Sequence, residues 1–374
     1  MKGVLITGAT GNIGSRLVKE YLLYSDHSIF ALVRGNSQSH AEERVRKVLD
    51  FWDCPWNQYR SRITVMRGDV LEPDLGLTAE TIRKICERTH LFVHAASNIR
   101  LDLSVDEARR TILGGTRNAY ALARKLPRLC RFGFISTTEV VGSYPGVAKE
   151  EFLSDYPLEF LNNYELGKFE SEEFLKQQMQ HGASVTIFRP SMVVGESDTG
   201  KVLKFQSFYM MAEKMLLQPD YPILPKGPPV DTIPVDILAR GIAKLMEHPC
   251  GEDRVFHLAQ GMEDRTEFST FIDKLQSVAE RQRQQAIRRP VFVSAVFHRL
   301  LLGLLKRFTW GKLRRSVRIQ LMFLRYSRAS WRIESQRTRE ALASLGVAWP
   351  RFDDYLPEVM TYYFGHRDRM RMPF

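Results

Sequence analysis

The sequence holds little that would staple, coordinate or anchor it. Its 374 residues contain four cysteines, Cys54, Cys86, Cys130 and Cys250, widely scattered and without metal-ligand spacing. That excludes a disulfide framework and a cysteine-rich metal module. It suits buried thiols in a reducing compartment, so a cytoplasmic protein is expected. No run of about eighteen apolar residues occurs, so no transmembrane helix is expected. No secretory signal is expected, since the first apolar run begins at Val4. Internal repeats and low-complexity tracts are also missing. Acid is absent from one long stretch: Arg281 to Arg332 carries 14 Lys plus Arg and no Asp or Glu. Those cations exceed the net charge of +11, so the rest of the chain is net −3 and the basicity belongs to one segment.

What remains is ordinary globular material, 44% hydrophobic and 26% charged, long enough for one large or two intimately packed domains. Its organising stretch is the N-terminus. Val4, Leu5 and Ile6 form an apolar run of the kind that becomes a strand buried on both faces. Thr7-Gly8-Ala9-Thr10-Gly11-Asn12-Ile13-Gly14 follows at once, and Leu17, Val18, Tyr21 and Leu22 then recur at helical spacing. Strand, glycine turn, helix is the order a dinucleotide pyrophosphate requires. Gly8 makes the tight turn, Gly11 lets the backbone approach, Gly14 lets helix meet strand, and the phosphates sit on free N–H groups at the helix start. The plainer alternative is a glycine turn with no ligand.

Further strands alternate with helices, giving a doubly wound parallel sheet. The strand Ile29–Val33 ends at Arg34, where an acid would accept from a ribose 2′-hydroxyl; Arg34 instead offers donors to a 2′-phosphate, which favours NADP. After the strand Ile63–Met66, Gly68-Asp69-Val70 follows, and Asp69 either accepts from an adenine amino group or caps a turn. Ala95, Ala96 and Ser97 close the strand Leu91–His94 with small side chains that let a flat cofactor approach. Phe132–Ile135 ends in three hydroxyls, Ser136, Thr137 and Thr138. Asn163 to Gln180 reads as a helix, followed by the strand Val185–Phe188 and the segment from Arg189 to Gly195 with Pro190 and Val193. Pro219 to Pro234, with six prolines, reads as an extended pocket-lining loop, Val235 to Leu245 as a helix, and Arg254–Leu258 as the last strand. The expected division is an NADP-binding Rossmann domain over 1–262, with 191–231 contributing to the substrate pocket, and a smaller, basic, mostly helical substrate domain over 263–374.

A carbonyl that accepts hydride needs a proton or strong hydrogen bond at its oxygen. A phenol near pKa 10 is a reluctant donor and acceptor, and a lysine one helical turn away is expected to stabilise the phenolate and lower that value. Tyr164 and Lys168 are four apart, and Thr137 supplies a hydroxyl from a strand end. Tyr-x-x-x-Lys alone is also a common exposed helix pair.

The segments TGATGNIG, GDV, VHAAS, FISTTEVVG and NYELGK resemble an extended short-chain dehydrogenase/reductase over roughly residues 1–265. That resemblance implies Thr137 as hydroxyl donor, five residues before Gly142, Tyr164 as acid and Lys168 as its modulator. The cofactor-binding candidates are Gly8, Thr10, Gly11, Asn12, Ile13, Gly14, Arg34, Asp69, Val70, Ala95, Ala96, Ser97, Tyr164, Lys168, Pro190 and Val193, with no metal. A narrower likeness, in AEERVRKVLD, GDVLEPDLGL, VHAASNIRLD, VDTIPVDILA and VFHLAQG, is to the male-sterility and thioester-reductase branch. It implies NADPH reduction of an acyl thioester, on coenzyme A or an acyl carrier protein, to an aldehyde and in some members on to the alcohol. Three positions depart from that branch: Ile112 stands for an Asn that orders water, Arg100 for an Asn after the fourth strand, and Gly167 for a small hydroxyl residue before the lysine. The competing expectations are a ketone or hydroxysteroid-type dehydrogenase or sugar-nucleotide epimerase on the same scaffold, and a non-catalytic NADP sensor, which would typically lack the Tyr–Lys pair.

In the basic segment, Val293, Val296, Phe297, Leu300, Leu301 and Leu304 share one helical face, with Arg299, Lys306 and Arg307 beside it. The face is expected to be either core of the substrate domain or a surface for an acidic partner, namely an anionic membrane, a carrier protein or coenzyme A phosphates; nucleic acid is not expected.

Overall fold

The structure, a computed structural model, describes residues 2–153, 156–213, 223–225, 227, 229–248, 254–283, 291–308, 317 and 332–370. Seven strands form one parallel sheet: β1 (Gly3–Thr7), β2 (Ser28–Val33), β3 (Ile63–Arg67), β4 (Thr89–His94), β5 (Arg131–Ile135), β6 (Val185–Pro190) and β7 (Val255–Leu258). Their spatial order is β7-β6-β5-β4-β1-β2-β3. The expected doubly wound sheet is therefore present. Its strands are nearly uninterrupted apolar runs because helices cover both faces; β1 and β2 are buried along their whole length.

The chain reverses direction of progression at β1, which pairs with β2 on one side (Val4↔Ile29) and β4 on the other (Val4↔Leu91). In such sheets the crevice for a ligand opens outside the carboxyl ends of the strands at this point. One short network fixes it. The Thr7 hydroxyl donates to His94 Nδ1 at 2.8 Å, and its oxygen accepts from Ala96 N at 3.2 Å. Burial, then the Lys168 charge, pushes the His94 imidazole down to about 3, so it stays neutral and able to accept.

Helices α1 (Asn12–Tyr24), α2 (Gln38–Phe51), α3 (Ala79–Cys86), α4 (Gly114–Ala123), α5 (Asn163–Gln180) and α6 (Val235–Glu247) flank the sheet. α5 has the bounds its sequence predicts. Asn162 caps it by accepting from Glu165 N at 3.0 Å. α2 begins at Gln38, where Ser37 caps it by accepting from His40 N. Beyond the sheet come α7 (Phe268–Arg283), α8 (Ala295–Phe308), α9 (Gln336–Ser344) and α10 (Phe352–Gly365). Leu342 of α9 and Val347 join the core under α1 and α6. Phe271 and Leu275 of α7 and Tyr355 and Met360 of α10 pack with Phe208 and Tyr209 in a second core.

Three expectations are corrected. The proline-rich stretch is not wholly loop: Ile223–Pro225 and Thr232–Pro234 are short strands, the second paired with Met192–Val194. β7 is not the last strand, since Val291–Val293 pairs with Ile223–Pro225, and Arg332–Ile333 with Val147–Ala148. Two- and three-residue strands carry no alternation to read. In α8 the apolar stripe is outside. Val296, Phe297, Leu300 and Leu304 are 67%, 54%, 65% and 59% exposed, while His298 and Leu302 on the opposite side are fully buried. The core reading of that stripe fails, and Val293 belongs to the preceding strand. Arg314, Arg315, Arg318 and most of the basic segment lie outside the described residues, as does Cys250.

A buried ion pair locks α5 to the strand ends. Arg189 at the end of β6 meets Glu172 of α5 through Nη2–Oε2 at 2.6 Å and Nε–Oε1 at 3.0 Å, both side chains 2% exposed. Ser136 donates to the same carboxylate at 2.5 Å, and Arg189 Nη1 donates to Glu151 O at 3.0 Å. His257 completes it: Arg189 Nη1 lies 3.1 Å from Nε2, and Nδ1 donates to Glu334 O at 2.6 Å. Burial and the Arg189 charge keep this imidazole neutral, down to about 3. Removing one partner of such a pair strands a charge in the interior. Arg189→Met should therefore lower stability by about 3–5 kcal/mol in denaturant titration, and Glu172→Leu in the same chain should recover part of it; an undiminished midpoint in the single variant would show that the pair does not brace the fold.

Candidate functional site

The glycine turn lies across the crevice. Gly8 has φ +70°, and a Cβ there would stand 2.7 Å from Ala96 N; a Cβ on Gly14 would stand 2.2 Å from Gly8 O. So Gly8 is required by conformation and close approach to the β4 end, and Gly14 by the approach of α1 to the turn. Gly11 is the N-cap residue of α1, with no side-chain cap and no acid in the first turn. The first N–H groups of α1 are thus left for an external acceptor. At the β4 end, Ala95 and Ala96 keep the approach open, and the Ser97 hydroxyl is buried with no partner among the described residues. An uncapped helix start, a cradle that any Cβ would fill and an orphaned hydroxyl fit a bound dinucleotide. Ile13 packs on the main core. The Asn12 side chain turns the other way: it donates to Lys204 O at 2.8 Å and accepts from Lys204 N at 2.8 Å, tying the turn to the segment before Phe208.

That tie brings Lys204 beside Arg34. Arg44 of α2 joins them, donating to Arg34 O and, at 3.2 Å, to Thr10 Oγ1. None of the three cations has a carboxylate partner among the described residues. Desolvation and then the Arg34 charge lower the Arg44 guanidinium; desolvation, Arg44 and Arg34 lower the Lys204 ammonium. Three crowded cations without an acid are held at a cost that an anion would relieve. A cleft of about 250 Å³ borders Arg34, lined also by Gly35, Arg67, Gly68, Asp69, Glu72 and Gly76. One carboxylate oxygen of Asp69, Oδ1, accepts from Leu71 N at 3.0 Å. Val70 packs against Gly115, its carbonyl accepting from Asn118. Pro190 ends β6, and Val193 is half-buried against the main core.

Thr137, Tyr164 and Lys168 converge beyond the ends of β4 and β5. Thr137 caps a short 3-10 turn (138–141), its Oγ1 accepting from Glu139 N at 3.3 Å. The Ser136 hydroxyl is spent on Glu172. Tyr164 and Lys168 share one face of α5. Lys168 is 3% exposed, donates to Ile135 O at 2.6 Å, and lies 6.0 Å from the centre of the Tyr164 ring. Burial pulls its ammonium down to about 7 against the opposing pull of Glu172. The phenol departs from expectation: burial, then the charges of Glu139 and Glu165, raise it above its ordinary value. Two carboxylates face the phenol, and Lys168 donates to a backbone carbonyl, not to the phenol.

Two of the three departures explain each other. Ile112, in a single π-helical turn over Arg109–Leu113, is buried with Leu103 and Ala108 against Tyr164. A Cβ on Gly167 would meet Ile112 Cδ1 at 3.1 Å and Cβ at 3.2 Å. Isoleucine at one position thus crowds a side chain at the other, and the wall beside Tyr164 is apolar where a water-ordering amide was expected. Arg100 is exposed and bidentate to Asp102 at 3.0 and 3.1 Å. Sequence reasoning missed Arg44, Lys204 and Glu139. A signal existed for Glu139, two residues past Thr137; none marked the other two.

A parallel sheet with this turn at its switch point, and a tyrosine–lysine pair at its strand ends, defines an NAD(P)-dependent oxidoreductase of the extended short-chain dehydrogenase/reductase class. More narrowly, the chain belongs to the male sterility protein family, whose model matches residues 6–242. Relatives include glycine betaine reductase ATRR of Emericella nidulans, 26% identical over 69% of this chain and 21% of that protein. The putative fatty acyl-CoA reductase CG8303 of Drosophila melanogaster is 27% identical over 52% of this chain and 41% of that protein. The chain spans well under half the length of either. Among solved structures, the terminal R domain of the myxalamid PKS-NRPS pathway shares the fold with a TM-score of 0.79 at 22% identity, over 100% of this chain and 93% of that one.

Glu139 offers a test of the site's electrostatics. Burial lifts its carboxyl to about 7. A carboxyl raised in the folded state favours folding most when protonated, and that contribution is lost as pH rises from about 4.5 through 7. Glu139→Gln should raise Tm by about 1–2 °C at pH 8, with the difference vanishing toward pH 4.5. Parallel Tm–pH curves for the two proteins would contradict this.

Proposed function

We propose that this chain is an NADPH-dependent reductase of acyl thioesters, acting on coenzyme A or carrier-protein esters and releasing aldehyde and free thiol. The observation that supports the reading is the pairing of Tyr164 and Lys168 on one face of α5, at the mouth of the dinucleotide crevice next to the strand end that carries Thr137. NADPH, when bound, supplies hydride to the thioester carbonyl carbon. Tyr164, held protonated by burial and by its two carboxylate neighbours, donates to the carbonyl oxygen as that carbon becomes tetrahedral. A raised pKa suits this direction, since reduction needs a donor and not a phenolate. Thr137 donates a second hydrogen bond to the same oxygen. Lys168, anchored on Ile135 O, holds the nicotinamide ribose with its remaining protons. The tetrahedral centre then collapses: its oxygen returns the proton to Tyr164 as the carbon–sulfur bond breaks, and the departing thiolate takes a proton from solvent, leaving aldehyde and free thiol. The apolar wall of Ile112 limits water beside the phenol.

Preference for NADPH rests on Arg34, Arg44 and Lys204, whose converging charges suit a 2′-phosphate. Arg44→Ala should weaken NADPH by about 1.5–3 kcal/mol in titration while leaving NADH nearly unchanged; equal loss for both would make Arg44 structural.

Turnover with a panel of long- and short-chain acyl thioesters, ketones and UDP-sugars tests the reaction class. NADPH oxidation with thioesters is expected, falling roughly a hundredfold or more in Tyr164→Phe with NADPH binding retained. Activity on ketones or UDP-sugars and none on thioesters would overturn the reading.

A further inference from the structure

We propose that α8 seats this protein on an anionic lipid surface. Val296, Leu300 and Leu304 recur every four residues, with Phe297 alongside, so their exposed side chains make one stripe along the helix. Val291, just before the helix, is exposed as well. The opposite side, through His298 and Leu302, is buried and holds the helix to the body of the protein. The stripe is therefore presented by a fixed support.

Charge selects the occupant. Arg299 and Arg307 are exposed about two turns apart, Arg299 at the margin of the stripe and Arg307 just beyond its last residue. Long guanidinium side chains at the edge of an apolar face place their stems along it and their heads at its rim. The segment containing α8 has 14 cations and no acid between Arg281 and Arg332, against a net charge of −3 for the rest of the chain. The complementary surface is apolar inside and negative at its face, which describes a bilayer containing acidic lipid. The stripe spans nine residues, about 12 Å along the axis, a length suited to lying in the interface. Among the described residues no helix is long and apolar enough to cross a membrane.

The orientation has a consequence for the pocket. The strand leading into α8, Val291–Val293, pairs with Ile223–Pro225, inside the 191–231 segment expected to border the substrate site. A bilayer under α8 would lie next to that segment, so acyl chains held in the membrane would be close to the entrance. The membrane contact itself is independent of which group is reduced.

Flotation of the full chain with phosphatidylcholine vesicles, with and without phosphatidylserine, tests the proposal. The protein should float with phosphatidylserine vesicles at low salt, and 0.5 M salt (about a 4 Å screening length) should release most of it. It should float at least about tenfold less with phosphatidylcholine alone. Leu300→Glu/Leu304→Glu should abolish flotation while Tm and NADPH binding stay unchanged, since both positions are exposed and far from the cations of the dinucleotide site. Failure to float with phosphatidylserine vesicles at low salt would overturn the proposal. So would equal flotation with neutral vesicles, flotation of the double variant like the parent, or retention on an immobilised acyl carrier protein without any lipid binding.

Discussion

The buried pair of Arg189 and Glu172 is the contact on which the site's geometry depends. It joins the end of β6 to α5, and Ser136, His257 and the Glu151 carbonyl are organised around it. Arg189 and Glu172 alone would be a poor stabiliser, because desolvating two charges offsets most of their attraction. Here the remaining hydrogen-bonding capacity is filled, and the yield is positional. α5 carries Tyr164 and Lys168, β5 delivers Thr137, and the pair fixes one against the other. It also consumes the Ser136 hydroxyl, so the strand's three-hydroxyl end has one member committed to structure.

The second constraint is electrostatic. Buried charges around the site are arranged in opposition: Lys168 is drawn down by burial while Glu172 resists, and Tyr164 is pushed up by burial with Glu139 and Glu165 adding to it. The outcome is a phenol that keeps its proton and an amine close to losing one. An oxidase running the reverse step would want the opposite bias. At the far end of the crevice, three cations without acids make a charge imbalance that a phosphate would resolve.

Much of this was legible in the chain. The turn from Gly8 to Gly14 could be read because each glycine answers a different steric demand, and the bounds of α5 because an asparagine cap precedes an uninterrupted helical run. Other features depend on distances that spacing does not encode. Arg44 reaches Arg34 only because α2 begins at Gln38, and Lys204 only because Asn12 holds a segment 192 residues away. The direction of the Tyr164 shift follows from which neighbours face the ring, and four-residue spacing to a lysine could not reveal that the lysine is bonded elsewhere. In α8, periodicity located the apolar stripe but could not say which side the protein covers. The isoleucine and glycine at 112 and 167 read as separate departures, and only packing makes them one.

The central claim is that hydride from the cofactor goes to a thioester carbonyl. Supplying NADPH deuterated at the transferable position, together with an acyl-coenzyme A, and weighing the trapped product tests it directly. The account predicts an aldehyde with one deuterium on the former carbonyl carbon and one equivalent of free thiol. Oxidised cofactor without deuterium in the acyl product, or release of the carboxylic acid in its place, would contradict it.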